Sequence, residues 1–237
     1  MRLKSIKYKE KFLLVNKTNK LPFHFPLTIL VGENGSGKTT TLDIIQRLLL
    51  KEELDETMAN KVKDIELVTD QGTIEYVNGS IKTDIDSACW PSVIKMDQII
   101  HQYDLTEQDK FMILSDKIIL NLIKEICDNR DDLILNLVDG DLYFKNKYTN
   151  KIFDYKQAPE SIRRYIQMLL FAKKTGKDDI LMIDGVEDHL HLAIQTGLIK
   201  NLMTLCKGQL IVTTHSPMIL AGGNESVTLH ISRYYEN

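Results

Sequence analysis

The stretch Leu27-Thr-Ile-Leu-Val31 runs directly into Gly32-Glu-Asn-Gly-Ser-Gly-Lys-Thr39, and this junction limits the possible folds more than any other part of the chain. An apolar, β-rich run enters a loop of the form G-x-x-x-x-G-K-[ST]. A helical pattern, Thr40-Thr-Leu-Asp-Ile-Ile-Gln-Arg-Leu-Leu-Leu50, follows it. Strand, glycine loop and helix in that order are the context of a phosphate-binding P-loop. Gly32, Gly35 and Gly37 let backbone N–H groups turn inward, and the helix adds the positive end of its dipole at the same point. Glu33, Asn34, Ser36 and Thr40 complete the candidate nucleotide-binding loop. Lys38 supplies a cation for the β- and γ-phosphates and Thr39 a hydroxyl for Mg²⁺.

A P-loop calls for a parallel sheet, and the last third of the chain has the pattern of one. Pro159 to Ala172 reads as a helix with proline in its first turn and Gly176 beyond its end. Ile180-Leu-Met-Ile183 is a buried strand ending at Asp184. His189 to about Leu205 reads as one helix closed by Gly208, Leu210-Ile-Val212 as the next buried strand, and Thr213-Thr-His-Ser-Pro217 follows it. A helical piece at Met218-Ile-Leu220 and a strand at Val227–Ile231 end the chain. Buried strands alternating with helices place a ligand at the strands' carboxyl ends, where the P-loop, Asp184 and His215 converge. An acid ending a short apolar strand is placed to act as a Walker-B carboxylate, opposite Thr39 across Mg²⁺.

The rest of the chain reads as β structure around one helix. Arg2–Tyr8 and Phe12–Val15 are expected to be two antiparallel strands, connected to the P-loop strand by Leu21-Pro-Phe-His-Phe-Pro26. Ile65–Val68, Thr73–Val77 and Ser80–Ile85, with Asn78-Gly79 between the last two, predict a three-stranded meander. Trp90–Gln98 reads as a strand. Thr106-Glu-Gln-Asp109 resembles a capping box opening one helix to about Cys127, with Phe111, Leu114, Ile118, Leu122 and Ile126 as its apolar stripe. Leu133–Val138, the turn Asp139-Gly140, Leu142–Phe144 and Ile152-Phe153 form a hairpin-like segment. The expected organisation is a single domain over 1–237, with a core at about 1–52 and 157–237 and an inserted β/helical region at about 61–156.

Composition narrows the functional classes. No run of eighteen apolar residues appears, so no membrane insertion is expected. The first ten residues lack a signal-peptide core, which leaves the cytoplasm as the default. A net charge of −3 and a pI near 6.1 lack the footprint of an autonomous nucleic-acid binder. Lys4, Lys7, Lys9, Lys11, Lys17 and Lys20 leave room for a local basic patch, although lysines on an edge strand also serve to block aggregation. Cys89, Cys127 and Cys206 have no metal-ligand spacing and read as reduced, structural thiols.

Walker A near the amino terminus, a Walker-B block about 150 residues later and Thr-Thr-His-Ser-Pro after the next strand resemble the ABC-type ATPases of the RecF, SMC and OLD branch. Small members of that branch are usually grouped as AAA-family ATPases. The branch pattern hhhhDE-x-E-x-x-LH compares with Ile180-Leu-Met-Ile-Asp-Gly-Val-Glu-Asp-His-Leu-His191. The resemblance covers about 1–50 and 157–231. It implies an α/β P-loop NTPase fold, the ABC-type ATPase head, with a mainly parallel core sheet, an antiparallel β subdomain and a short helical insertion. It also implies ATP and Mg²⁺ as ligands, Asp184 for the metal, Gln98 as a Q-loop residue sensing metal and water, and His215 as the switch histidine near the γ-phosphate. A homodimer across two nucleotides, acting on a separate effector protein in DNA repair or antiviral defence, is the further implication.

Two departures bear on catalysis. The glutamate that should follow Asp184 and polarise the attacking water is Gly185, with Glu187 and Asp188 the nearest acids. The signature Leu-Ser-x-Gly is replaced by Gln157-Ala-Pro-Glu-Ser-Ile-Arg-Arg164, in which Ser161 could still donate to a γ-phosphate across a dimer. Binding depends on the loop and Lys38, whereas hydrolysis often needs a base worth about 10²–10⁴ in rate. Slow turnover is therefore expected, with Lys38, Asp184, His215, Glu187 and Gln98 as the catalytic set. The rival readings are a nucleotide-binding subunit of a membrane transporter, opposed by the missing signature, and a pseudo-ATPase scaffold.

Overall fold

A computed structural model describes residues 1–9, 13–15, 19–59, 62, 64–96, 104–129, 132–221 and 228–233. The chain begins with β1 (Leu3–Tyr8), β2 (Leu13–Val15), β3 (Lys20–Pro22) and β4 (Leu27–Val31); α1 (Lys38–Leu50) follows the glycine loop. Next come α2 (Glu56–Ala59), β5 (Asp64–Thr69), β6 (Thr73–Val77), β7 (Ser80–Thr83) and β8 (Val93–Met96). The middle holds α3 (Glu107–Ser115), α4 (Lys117–Asn129), β9 (Leu133–Val138), β10 (Asp141–Asn146) and β11 (Ile152–Asp154). The last third is α5 (Glu160–Lys174), β12 (Ile180–Ile183), α6 (Leu192–Gln195), α7 (Leu198–Leu205), β13 (Gln209–Thr214), α8 (Pro217–Ala221) and β14 (Thr228–Arg233).

The central sheet has the order β2-β14-β4-β13-β12-β8, parallel throughout except where β2 pairs with β14. Strands covered on both faces need apolar side chains on both, and β4, β12 and β13 are buried at every residue. Alternation divides them between two cores. Ile29, Leu181, Ile183, Leu210 and Val212 face α4, α5 and α7, while Leu30, Ile180, Met182 and Ile211 face α1 and the sheet of β1, β5 and β6. Pairing of Ile183 with both Val212 and Met96, and of Thr214 with Val31, aligns the carboxyl ends of β8, β12, β13 and β4. The loops after β4, β12 and β13 therefore open on one edge.

Two antiparallel sheets flank this layer, β3-β1-β5-β6-β7 on one side and β11-β10-β9 on the other. The expected meander is β5-β6-β7, and Asn78 (φ 50°) and Gly79 (φ 82°) turn it with the paired positive φ values of a tight hairpin. The first strands differ from expectation. β1 and β2 do not pair with each other: β1 lies between β3 and β5, and β2 belongs to the central sheet. Leu21 and Pro22, read as connection, lie in β3, where Leu21 pairs with Ile6 in the sheet over α1.

Two predicted helices are each broken in two. Thr106 and Asp109 form a full capping box, but the helix stops at Asp116. The Asp116 carboxylate accepts from the N–H groups of Ile118 and Ile119, at 2.9 and 3.3 Å, and so starts α4 while ending α3. The break rotates the stripe: Ile113, Ile119, Ile123, Ile126 and Cys127 are buried, whereas Phe111 and Ile118 are exposed. In the second case, Gly197 at φ 85° separates α6 from α7. His189 and His191 precede α6, with His191 Nδ1 capping it at Ala193. The cysteines are free thiols; Cys127 is buried but Cys89 is exposed, so the latter packs no core.

Candidate functional site

The glycine loop wraps tightly because two of its residues adopt positive φ, Gly35 at 77° and Gly37 at 98°. Gly32 is needed for a different reason: a Cβ there would lie 2.2 Å from the Ile231 carbonyl and 2.7 Å from Ser36 Oγ. Gly37 starts α1 without a side-chain cap, leaving the first-turn N–H groups directed at the loop's interior. Lys38 folds back over the loop, its Nζ donating to the carbonyls of Gly32 (2.7 Å) and Glu33 (3.0 Å). Burial lowers the Lys38 pKa, and the nearby charges of Asp184 and Glu187 work against that shift.

Asp184 stands at the end of β12, held from several sides. Thr39 Oγ1 donates to its Oδ2 at 2.7 Å and Thr213 Oγ1 to its Oδ1 at 2.5 Å. Thr213 in turn accepts from the N–H of Gly185 at 2.7 Å, and Arg164 Nη2 reaches the Asp184 carbonyl at 3.4 Å. These groups border an open cavity of about 250 Å³ lined by Asn34, Lys38, Thr39, Asp184, Thr213 and His215, among others. A larger cavity, of about 400 Å³, lies beside β10, but its Lys110 and Lys156 are already paired with Asp141 and Asp104.

Beyond Asp184 the chain turns sharply. Gly185 sits at φ 57°, and the Asp188 N–H donates to its carbonyl at 2.9 Å. Glu187 is buried and its Oε1 accepts from the His215 N–H at 2.6 Å, with His215 Nε2 3.6 Å from the same oxygen. Among the described residues its Oε2 has no hydrogen-bond partner. Asp188 is half-buried, and its carboxyl pKa is raised by burial first and by Glu187 second, against the positive charges of Arg164, His215 and His189. The following turn is fixed independently: Ser216 Oγ donates to Gln195 Oε1 at 2.5 Å and accepts from the Met218 N–H at 3.2 Å.

The SMC head domain from Thermotoga maritima is similar over 100% of both chains, with a TM-score of 0.51 and 14% identity. An Smc head bound to the C-terminal winged-helix domain of ScpA gives a TM-score of 0.62 at 15% identity, covering 99% of this chain and 95% of the other. A Pyrococcus furiosus Smc head domain with an extended coiled coil, bound to the C-terminal domain of ScpA, gives 0.56 at 14%, over 98% and 94%. The chain has the fold of an SMC head domain. Residues 119–221 of this head match a family model described as an AAA domain, putative AbiEii toxin, Type IV TA system. No curated protein matches the chain.

Within the head, Lys38, Thr39, Asp184 and His215 meet at one edge of the central sheet. Glu187 lies behind His215 rather than on the cavity wall, and Ser161 is buried in the first turn of α5, away from the cavity lining. Gln98 lies outside the described residues, two positions after the end of β8. The donor set suits ATP and Mg²⁺. Ser36 Oγ, buried in the loop, has no hydrogen-bond partner among the described residues, and Thr39 Oγ1 lies 2.7 Å from Asp184 Oδ2. Neighbouring ligands of an octahedral Mg²⁺, with bonds of about 2.0–2.1 Å, are separated by about 3 Å. Thr39 and Asp184 are thus the residues that would hold the metal, which when bound neutralises phosphate charge. Two side chains support the site without a functional reading in the sequence, Thr213, whose place beside His215 at the end of a buried strand is the available signal, and Gln195, which reads as an ordinary helix residue. Arg164, read from sequence with Arg163 as a helix-surface arginine that could add charge, is instead buried against the Asp184 carbonyl.

Proposed function

We propose that this head binds ATP with Mg²⁺, hydrolyses it slowly, and dimerises across two nucleotides to control a separate effector protein. The observation that carries the reading is the convergence of Lys38, Thr39, Asp184 and His215 on one cavity at the carboxyl edge of the parallel sheet. A lysine held by two loop carbonyls is preorganised for phosphate, and a threonine beside a carboxylate is preorganised for the metal. His215 is exposed at the cavity mouth, where a switch residue would meet the γ-phosphate. Heads of this fold are known in complex with ScpA, which supports a protein partner as the recipient of the nucleotide signal.

The setting that best fits is a toxin–antitoxin pair, since the family model over residues 119–221 carries that description. DNA repair and antiviral defence rest on the branch resemblance alone. The test is equilibrium ATP binding together with single-turnover hydrolysis, wild type against Lys38→Ala. Charge-assisted hydrogen bonds of about 1.5–3 kcal/mol predict binding about 10- to 100-fold weaker in the variant. Hydrolysis should be slow in the wild type and absent in the variant. ATP binding without Lys38-dependent hydrolysis would leave a scaffold.

A further inference from the structure

We propose that the Asp188 carboxylate replaces the side chain Gly185 lacks and accepts the proton of the water that attacks the γ-phosphate. This rests on the ATPase reading above. A Cβ built on Gly185 would lie 1.9 Å from Asp188 Oδ2 and 2.6 Å from its Cγ, so this carboxyl group fills the space into which a side chain at 185 would grow. The left-handed Gly185 (φ 57°) and the bond from the Asp188 N–H to the Gly185 carbonyl close the turn that brings it there.

Both Asp184 oxygens are engaged, by Thr39 and Thr213; Glu187 is buried and accepts from the His215 backbone through Oε1, its Oε2 unpartnered among the described residues. Among the described residues no donor holds the Asp188 carboxylate. It is half-buried, more open to water than the buried Glu187, and although neither acid lines the cavity wall, one of its oxygens lies within 4.8 Å of a ring nitrogen of His215, which does. In the step, the water oxygen forms a bond to the γ-phosphorus as the bond to the β,γ-bridging oxygen breaks. The electron pair leaves on ADP, and the water proton passes to Asp188 and then to solvent.

Three readings test it: single-turnover hydrolysis, equilibrium ATP binding, and the identity of the nucleotide retained after gel filtration. Asp188→Asn should bind ATP within about threefold of wild type, hydrolyse it at least about 100-fold more slowly, and retain ATP rather than ADP. Asp188→Ala should be equally slow, and formate, a small carboxylate able to occupy the vacated space, should restore its rate at least tenfold. Turnover of Asp188→Asn within threefold of wild type overturns the proposal. So does a slow Asp188→Ala that formate does not restore, which would make Asp188 a structural brace. A wild-type protein without Lys38-dependent hydrolysis fails earlier, at the ATPase reading itself, and overturns the proposal with it.

Discussion

Gly185 shows how one residue sets both conformation and chemistry. Its φ of 57° costs an L-residue about 1–3 kcal/mol, and the Asp188 carboxyl 1.9 Å from a Cβ adds a steric term. Gly185→Ala is therefore expected to lower stability by at least about 1 kcal/mol, or about 2–4 °C in melting temperature for a chain of this size. Calorimetry on the purified variant checks it. Gly185→Glu, which introduces the glutamate of the RecF, SMC and OLD pattern that the sequence resembles, is expected to be destabilised as well and to hydrolyse ATP no faster than wild type. At this scale the P-loop, Asp184 and His215 were legible because each is fixed by its immediate sequence neighbours. The place of Asp188 was not, because it depends on a left-handed turn that the bare sequence Asp-Gly-Val-Glu-Asp does not specify.

Elements were legible in kind and misjudged at their joints. Periodicity located helices at 106–127 and 189–205 but missed the breaks, since each lies in a single residue. At Gly197 it is a positive φ, and at Asp116 a side chain that caps the next helix outcompetes continuation. Losing such a cap costs about 0.5–2 kcal/mol, so Asp116→Ala should reduce stability by that amount in urea denaturation at neutral pH. The same carboxylate also hydrogen-bonds to Lys173, which is the main cause holding its pKa below the usual 3.8. A depressed folded-state pKa means its contribution is complete above the unfolded value and is lost as pH falls through the folded one. The gap between wild type and Asp116→Ala should hence be constant near pH 5–7 and narrow below 3.8.

For the whole molecule, the apolar runs at 27–31, 180–183 and 210–212 announced a parallel sheet, but not its order. The neighbours of β4 are β13 and β14, far along the chain, and no local pattern encodes that pairing. Nor did sequence show that β1 would pair with β5 to build the antiparallel layer over α1. The consequence of this architecture is that the loops after β4, β12 and β13, distant in sequence, share one edge and border one cavity. Nucleotide binding should accordingly stabilise the entire fold. At about 100-fold excess over its dissociation constant, ATP is expected to add about 2.7 kcal/mol, visible as a rise in melting temperature that Lys38→Ala loses.

In the proposed switch, nucleotide changes the assembly state. The decisive measurement is light scattering on size-exclusion fractions, comparing wild type with Mg²⁺ and ATP, wild type with ADP, and Lys38→Ala with ATP. Twice the monomer mass is expected in the first sample and the monomer mass in the other two. An unchanged mass in all three, with ATP shown to be bound in the first, would contradict it.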